Sequence, residues 1–415
     1  MTIPMAIFDI AVLWYYSFGG SIVLRPMVDA FWIAMAIVGI LVFRMTKIQL
    51  TRYNKLSFAM LAYLLVTVFF SQDMNISLKY TLSLLLYLVI AIEITSNFSN
   101  LKFFLRAALV YSLILLMISL IEKYNSVLYT VVFMPFLPAQ YNLDILTFIR
   151  NGSVNGFFNQ TSSNAIAMSL GVGLSVYWIE STQKRRVLVK GVQILILLAF
   201  FYGVILTVRR GSLFIVAAIL AYIIYTKRGN RFTKTILAIA VVWLLIFGGI
   251  SSIPAFQSIL YKNQVYSVAG DITNGRLEIW ARSLDLFAER PIFGSGADTF
   301  NLRESVISAH NSYVQSLVEL GVVGTFFFYM PFVYALILTI KARRTMLAFG
   351  QEEKALMIFA LFWQLYCFGD GIFEAIFSSE ITVFMMFIAQ IMVINILSYN
   401  LEESHEIDRF GKENS

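Results

Sequence analysis

The sequence predicts an all-α membrane protein, a polytopic bundle of about twelve transmembrane helices. Hydrophobic residues make up 59% of the 415 residues. Charged residues make up only 13%, about half the share found in a soluble domain. The mean hydropathy is +0.77. A soluble fold cannot bury this much apolar surface, whereas a lipid bilayer accommodates it.

The candidate spans are apolar runs separated by short polar segments. Several are shorter than the roughly 20 residues that a perpendicular span needs, so they include flanking residues or are locally mismatched. The first run has no charged segment before it and no cleavage site after it, so we expect it to be retained. The runs cover approximately residues 6–24, 28–43, 56–70, 80–95, 104–121, 164–179, 188–207, 211–225, 233–252, 312–340, 355–374 and 380–398.

The basic residues predict the orientation of these spans. With twelve spans, both termini and the even-numbered connections share one side. Most of the 31 Lys and Arg residues fall there, in clusters such as Arg44–Lys55 and Lys184–Lys190. The positive-inside rule places that side, including a tail over 399–415, in the cytoplasm. Basic clusters that follow topology do not form a binding stripe, so we expect no nucleic-acid partner despite the net charge of +7.

Two long segments lie on the outer side, at approximately 122–163 and 253–311. We expect residues 1–415 to form a single membrane domain, with the second segment as a large loop between spans nine and ten. Long structureless loops are uncommon, so these segments should have function or secondary structure. In the second, Asn274 is a suitable N-cap for an amphipathic helix over about 275–289. Its apolar positions recur at helical spacing: Leu277, Trp280, Leu284 and Phe287.

An arginine doublet is the first candidate for function, because charges at membrane depth are costly. Arg209 and Arg210 lie in the very short gap between spans seven and eight, where we expect Gly211 to supply a tight turn. One interpretation is that both side chains reach phospholipid headgroups. The other is an anion site, because guanidinium groups match the geometry of phosphate oxygens.

A histidine near the predicted start of span ten is the second candidate. His310 lies within Ser308–Tyr313, where a helix should begin. The positive end of a helix dipole disfavours imidazolium, so we expect a neutral imidazole that can accept a proton from a hydroxyl. The alternative is a histidine that only caps the helix or lies in the interface.

Two carboxylates near the outer end of span eleven are the third candidate. Asp370 and Glu374 are separated by about one helical turn, and both face the same aqueous side. Asp370 could orient His310 or an arginine. The alternative is that both are solvated carboxylates at the membrane interface.

No motif in the sequence predicts a metal or a nucleotide site. There is no HExxH, no paired Cys–His set and no P-loop, and Gly294-Ser295-Gly296 alone is too weak to indicate a nucleotide. We therefore expect no metal and no cofactor. An enzyme acting on the outer face without nucleotides needs a substrate that is already activated within the membrane, and a polyprenyl diphosphate-linked sugar has this property.

Six segments, taken in order, resemble the superfamily of O-antigen ligases and polysaccharide polymerases. The resemblance extends over roughly 155–325, and the hydropathy profile extends it to the whole chain. The segments are Asn155–Gln160 with Asn164, Val208–Ser212, Gly275–Trp280, Arg290–Gly296, His310–Tyr313 and Glu319–Gly324.

This resemblance implies a GT-C-like helical fold in the bacterial inner membrane and metal-independent glycosyl transfer on the periplasmic face. It implies an undecaprenyl-diphosphate-linked oligosaccharide as donor and a glycan or lipid A-core as acceptor, with a chain-length regulator as a further possible partner. One of Arg209 and Arg210, with Arg276, would hold the diphosphate. His310 would serve the acceptor hydroxyl, and Asp370 would complete the catalytic set. The expected substrate-binding residues are Asn311, Tyr313, Arg282, Arg303, Asn159, Asn164 and Glu374.

Three functions compete. A polymerase that joins lipid-linked repeat units is the interpretation we favour, with direct displacement inverting the anomeric centre. A ligase that moves the finished glycan onto lipid A-core would use the same residues. A polysaccharide transporter or lipid flippase should have related halves and charges near the bilayer midplane, whereas the charges here gather at one face.

Overall fold

The computed structural model describes residues 51–182, 187–226, 275–303, 308–345 and 349–413, and every regular element within these ranges is helical. The predicted runs 6–24, 28–43 and 233–252 lie outside the described residues. The helices are α1 (Arg52–Val68), α2 (Met74–Thr95), α3 (Phe98–Tyr124), α4 (Ser126–Val132), α5 (Asn142–Arg150), α6 (Thr161–Ser181), α7 (Val187–Leu206), α8 (Arg210–Thr226), α9 (Arg276–Glu289), α10 (Phe300–Arg303), α11 (Ser312–Thr345), α12 (Gln351–Asp370) and α13 (Glu380–Glu413).

The other predicted apolar runs all fall on helices. Within the described ranges, five helices are long and apolar enough to cross a membrane: α2, α3, α7, α11 and α13. The prediction of an all-helical membrane protein is thus confirmed for this part of the chain. The total of twelve spans and the GT-C-like arrangement remain predictions.

The core forms around α12, which packs against α6, α8, α11 and α13. Its aromatic side chains Phe359, Phe362 and Trp363 are fully buried. A Cβ atom at Gly173 of α6 would lie 2.7 Å from the Phe362 ring, so this glycine permits close approach of the two helices. Helix α6 is buried on nearly all sides from Thr161 to Tyr177, as expected for a helix without a polar face.

Helix α11 is interrupted at Gly321, which has φ 65° and ψ −175°. The loop after α9 fills this interruption: the N–H of Val322 donates to the Pro291 carbonyl at 2.8 Å, and the N–H of Gly296 donates to the Glu319 carbonyl at 2.8 Å. A Cβ atom at Gly294 would lie 2.3 Å from the same Glu319 carbonyl oxygen. Two of the motifs therefore pack against each other backbone to backbone, and glycine is needed for the contact.

Two local predictions need correction. Helix α9 begins at Arg276 as expected, but the residue preceding it is Gly275 at φ 77°, and Asn274 lies outside the described residues. Gly211 lies inside α8, and the turn before it is made by Val208 at φ 56°. A Cβ atom at Gly211 would lie 2.7 Å from the Phe373 ring, so close packing is what requires this glycine. The segment predicted to be a cytoplasmic tail continues α13 as a helix as far as Glu413, and its side of the membrane remains a prediction.

Candidate functional site

Glu374 lies in the turn after α12, and side chains from three distant segments meet at its carboxylate. Arg209 Nη1 lies 2.5 Å from Oε1, and Arg276 Nη2 lies 3.2 Å from the same oxygen. The Nδ1 atom of His310 lies 3.1 Å from Oε2. Glu374 itself is only 7% exposed. The structure therefore brings together four of the predicted site residues, with Glu374 at the centre.

The turn between α7 and α8 positions Arg209. Val208, a buried β-branched residue, adopts a left-handed conformation that such residues rarely occupy. The Arg209 Nε atom donates to Thr161 Oγ1 at 2.9 Å, at the first residue of α6. Arg209 is thus held between α6 and the turn after α12.

The starts of α9 and α11 position Arg276 and His310. Arg276 is the first residue of α9, and the Trp280 indole N–H one turn later donates to the Ala309 carbonyl at 2.9 Å. This contact fixes α9 beside the segment that contains His310. His310 is left-handed at φ 49°, immediately before Asn311. Such conformations are costly and persist only where the surrounding structure enforces them.

Hydrogen bonds join the start of α11 to the turn after α12. The N–H of Ser312 donates to the Gly371 carbonyl at 2.8 Å, and its hydroxyl donates to the Glu374 carbonyl at 2.9 Å. The Asn311 amide donates to the Ile372 carbonyl at 3.1 Å. These hydrogen bonds therefore fix the position of the segment that contains His310 relative to Glu374.

The electrostatic surroundings keep Glu374 ionised. Burial alone would raise the pKa of Glu374. The hydrogen bond from His310 and the charges of Arg209 and Arg276 outweigh burial, and they hold the pKa of Glu374 below its usual value. The residue is accordingly a carboxylate near neutral pH, which suits it to orient an imidazole.

Asp370 has a different position from the one we predicted. Its carboxylate is 1% exposed and accepts hydrogen bonds from the Ser212 hydroxyl at 2.9 Å and the Tyr366 hydroxyl at 3.1 Å. The carboxylate that contacts His310 and the arginines is that of Glu374. The physical reason is that Asp370 is the last residue of α12 and points into the bundle, whereas Glu374 lies beyond the helix end.

The remaining predicted arginines are not grouped around Glu374. Arg210 is an exposed residue at the first position of α8. Arg282 is exposed on α9. Arg303 forms an ion pair with Glu289, so it fastens α10 to the end of α9.

The predicted polar residues of the motifs have mainly structural contacts. The Asn311 side-chain oxygen accepts from the N–H groups of Tyr313 and Val314, which makes it the cap of α11. The Tyr313 hydroxyl donates to the Phe368 carbonyl at 2.6 Å. Asn164 is fully buried and donates to Ser119 Oγ and the Val154 carbonyl. Asn159 lies half-buried in the turn before α6.

A polar cavity of about 270 Å³ adjoins Glu374, and no sequence pattern predicted it. It lies between the start of α6, the segment before α10, the start of α11 and the turn after α12. Thr161 and Ser212 were also missed as contacts of the site. Isolated hydroxyl and amide residues have no distinctive spacing, so only the fold can group them. The polar lining includes Gln160, Ser162, Asp298, Ser308, Gln315 and Ser378.

The described residues contain no group of three or more His, Cys, Asp or Glu side chains placed to hold a metal ion. At Glu374, two guanidinium groups contact one carboxylate oxygen and an imidazole contacts the other. Such a group can bind an anion and can transfer a proton.

One comparison with known proteins bears on this arrangement. Residues 194–329 match the family model described as O-Antigen ligase. The matched region contains Arg209, Arg276 and His310 and ends before Glu374. No curated protein matches the chain. The family match agrees with the motifs and supports the assignment of this chain to the superfamily of O-antigen ligases and polymerases.

Proposed function

We propose that the protein is a membrane glycosyltransferase that polymerises repeat units of O-antigen or another surface polysaccharide. The donor is an oligosaccharide linked to undecaprenyl diphosphate. The observation that supports this most directly is the convergence of Arg209, Arg276 and His310 on Glu374. The family match supports glycosyl transfer in general.

Arg209 and Arg276 bind the donor diphosphate. Because both guanidinium groups end at the same oxygen of Glu374, one anionic group can contact both of them. Their side chains remain about a quarter exposed, at 23% and 25%. Glu374 holds the two positive charges together before the donor arrives. Guanidinium groups then stabilise the charge that develops on the leaving diphosphate. Of the doublet, Arg209 has this role.

His310 accepts the proton of the attacking hydroxyl. When Nδ1 donates to the ionised Glu374, the lone pair of the imidazole is on Nε2. A carboxylate that orients an imidazole in this way fixes its tautomer and stabilises the imidazolium that forms. His310 is 35% exposed, so a substrate hydroxyl can approach it.

The chemical step is a direct displacement. The acceptor oxygen forms a bond to the anomeric carbon as the bond from that carbon to the diphosphate oxygen breaks. The hydroxyl proton passes to His310, and undecaprenyl diphosphate leaves with the electron pair. Attack from the opposite face inverts the anomeric centre.

We place the site on the periplasmic face of the inner membrane, with about twelve spans, a GT-C-like fold and both termini in the cytoplasm. The distribution of Lys and Arg supports this topology. Reporter fusions near residues 50, 187 and 348 should be cytoplasmic, and fusions near 140 and 270 should be periplasmic. A cytoplasmic result at 270 would place Arg276 in the wrong compartment and refute the proposed site.

A ligase that transfers the glycan to lipid A-core is the second candidate, and the description of the matching family favours it. The glycan profile of a deletion strain separates the two functions. If the protein is a polymerase, the surface lipid keeps one repeat unit and long chains disappear, and a chain-length regulator is then a natural partner. If the protein is a ligase, surface glycan disappears and long chains remain on the carrier.

The direct test uses purified protein in detergent with lipid-linked donor and acceptor. We expect elongated product and free undecaprenyl diphosphate in equal amounts, with unchanged turnover in EDTA. Absence of donor consumption with the strain's own lipid-linked repeat unit would contradict both glycosyltransferase functions.

A further inference from the structure

A second cavity, the α3 cavity, lies at the end of the bundle opposite to Glu374. Its volume is about 500 Å³, and its walls come from the first half of α3, the end of α6 and the start of α12. Glu352 belongs to this start of α12, whereas Asp370 ends the same helix, and the two are roughly 27 Å apart along its axis. The α3 cavity is therefore separate from the candidate site. Its volume falls within the range of roughly 300–1,000 Å³ found for pockets that hold small ligands.

One face of α3 forms the long wall of the α3 cavity. The residues of this wall are Arg106, Leu109, Val110 and Leu113. Side chains three and four positions apart lie on the same side of a helix, so the four form a continuous stripe. Val110 is 59% exposed, so the cavity opens on the surface of the bundle. Helix α3 is long and apolar enough to cross a membrane, and an opening on such a helix faces hydrocarbon. The apolar part of the stripe is therefore suited to an acyl chain.

The polar groups of the α3 cavity lie at one end of this stripe. Arg106 is an exposed residue at the beginning of the stripe, and Trp178, Ser181 and Thr182 come from the end of α6. Arginine and tryptophan are typical of the boundary between hydrocarbon and lipid headgroups. The Ser181 hydroxyl donates to the Trp178 carbonyl at 3.1 Å, and the same oxygen can accept a hydrogen bond from a ligand. The cavity thus presents an apolar part and a polar part in the order in which a phospholipid presents its chain and headgroup.

The charges at the polar end of the α3 cavity favour an anionic ligand. Glu352 is the acidic residue of the lining. Its Oε1 atom accepts from the Tyr177 hydroxyl at 2.5 Å and lies 4.0 Å from Lys102 Nζ, so the Glu352 carboxylate has its partners within the protein. Within the residues that the structure describes, Arg106 has no carboxylate partner. The positive charge of Arg106 is therefore the one available to a phosphate.

We infer that the α3 cavity binds one anionic phospholipid, with an acyl chain along α3 and the phosphate at Arg106. A guanidinium group forms charge-assisted hydrogen bonds with phosphate oxygens. A polyprenyl phosphate shares this chemistry, but the hydroxyl groups of Ser181 and Thr182 favour a headgroup that carries hydroxyls, such as glycerol. The bound lipid contacts α3, α6 and α12 together and stabilises their packing. This inference is independent of the reaction proposed at Glu374.

A titration with matched lipids tests this inference. Full-length protein is purified in detergent, stripped of lipid and titrated with phosphatidylglycerol, with phosphatidylcholine of the same acyl chains, and with undecaprenyl phosphate. Native mass spectrometry counts the bound lipids. We expect one phosphatidylglycerol to bind about tenfold more tightly than phosphatidylcholine, because only the net anionic headgroup gains an unopposed pairing with Arg106. Thermal unfolding should show a higher Tm with phosphatidylglycerol, since a ligand of the folded state stabilises that state.

Two pairs of variants locate the binding site. Arg106→Gln should bring the affinities for phosphatidylglycerol and phosphatidylcholine to within about threefold of each other, because the charge-assisted contact is lost. Arg52→Gln removes an equal charge from another exposed position, the start of α1, and should keep the wild-type preference. Val110→Trp fills the cavity and should weaken binding of both lipids about tenfold. Met117→Trp places the same side chain at an exposed position of α3 outside the cavity and should bind both lipids like the wild type.

Several results would overturn the inference. Equal affinities of the wild type for phosphatidylglycerol and phosphatidylcholine would remove the anionic selectivity. An equal loss of preference in Arg106→Gln and Arg52→Gln would indicate general attraction of anionic lipid to the basic surface. Tighter binding of undecaprenyl phosphate than of phosphatidylglycerol would show that the occupant is a carrier lipid. If Arg106→Gln cannot be purified, unchanged lipid binding by Val110→Trp would still refute the α3 cavity as the site.

Discussion

Two buried glutamates, Glu122 and Glu374, organise two different turns of this protein. Glu122 is 2% exposed and accepts hydrogen bonds from the backbone N–H groups of Asn155 at 3.1 Å and Gly156 at 2.6 Å. Glu374 accepts from the side chains of Arg209, Arg276 and His310. Both carboxylates are satisfied, but their partners differ in kind.

The kind of partner indicates the role. Backbone N–H groups cannot turn away without unfolding the turn, so Glu122 fixes the start of the Asn155–Gln160 motif and little else. Arginine and histidine side chains can redirect some of their donors toward a ligand while their backbone stays in place. Glu374 is therefore the centre of a candidate site, whereas Glu122 is a structural residue.

The turns near Glu122 and Glu374 also differ in backbone strain. Near Glu122, the left-handed residues are Gly152 and Gly156, which adopt that conformation without cost. The non-glycine residues with positive φ in the described part of the chain are Val208, Asp298 and His310, and all three adjoin the arginine pair, the cavity or Glu374. Strain retained in residues other than glycine is typical of functional sites.

The largest effect should come from His310→Ala. Loss of a positioned general base typically lowers the rate about 10²–10⁴-fold. Binding of the lipid-linked donor should persist because Arg209 and Arg276 remain. Single-turnover assays and donor-binding measurements on the purified variant check this. Wild-type turnover by His310→Ala would reduce the contact with Glu374 to a structural one, like that of Glu122.

Arg276→Lys should lower kcat by about 10–100-fold, the worth of one or two charge-assisted hydrogen bonds. Lysine keeps the charge but cannot form a two-pronged contact with a phosphate. The arginine doublet provides a matched comparison, since Arg209→Ala should be nearly inactive and Arg210→Ala mild. Equal losses in the two doublet variants would contradict the assignment of the diphosphate to Arg209.

The paired variants Glu374→Gln and Glu122→Gln compare the two glutamates directly. Glu374→Gln should lower turnover about tenfold or more, because the imidazole loses its orienting charge. Glu122→Gln should instead destabilise the protein by about 1–3 kcal/mol, since the two N–H groups donate to different oxygens of Glu122 and glutamine replaces one of these oxygens by an NH2 donor. Thermal unfolding in nanodiscs and turnover per folded molecule provide the two measurements. If Glu122→Gln were instead folded but inactive, the roles assigned to the two glutamates would be wrong.

The smallest expected effect is the change in the stability of the protein at low pH. Because the folded-state pKa of Glu374 is lowered, its ion pairs contribute stability above the unfolded value of about 4.3, and this contribution is lost as pH falls through the folded-state pKa. The difference in Tm between wild type and Glu374→Gln should shrink as the pH falls below about 4. A difference that stays undiminished there would show that ionisation of the carboxylate does not contribute to stability.

The local sequence was sufficient to predict the long apolar helices of the described residues and the charged residues that meet at Glu374. Apolar runs predicted the helices, and helical spacing predicted α9 almost to the residue. His310, Arg276 and the arginine doublet were found because charges are rare in this chain. The arrangement around Glu374 was not predicted, because Asp370 and Glu374 have equivalent sequence surroundings, and the end of α12 at Asp370 distinguishes them.

The sequence by itself determined the class of protein, the long apolar helices of the described residues and the small set of charged residues that meet at the candidate site. These follow from composition and from short-range periodicity, which need no knowledge of the fold. Only the tertiary structure decided that Arg209, Arg276 and His310 share Glu374, that Asp370 faces inward onto Ser212, and that a polar cavity adjoins the site. These facts depend on contacts between residues up to 165 positions apart, and packing of the whole bundle, which no local pattern specifies, brings them together.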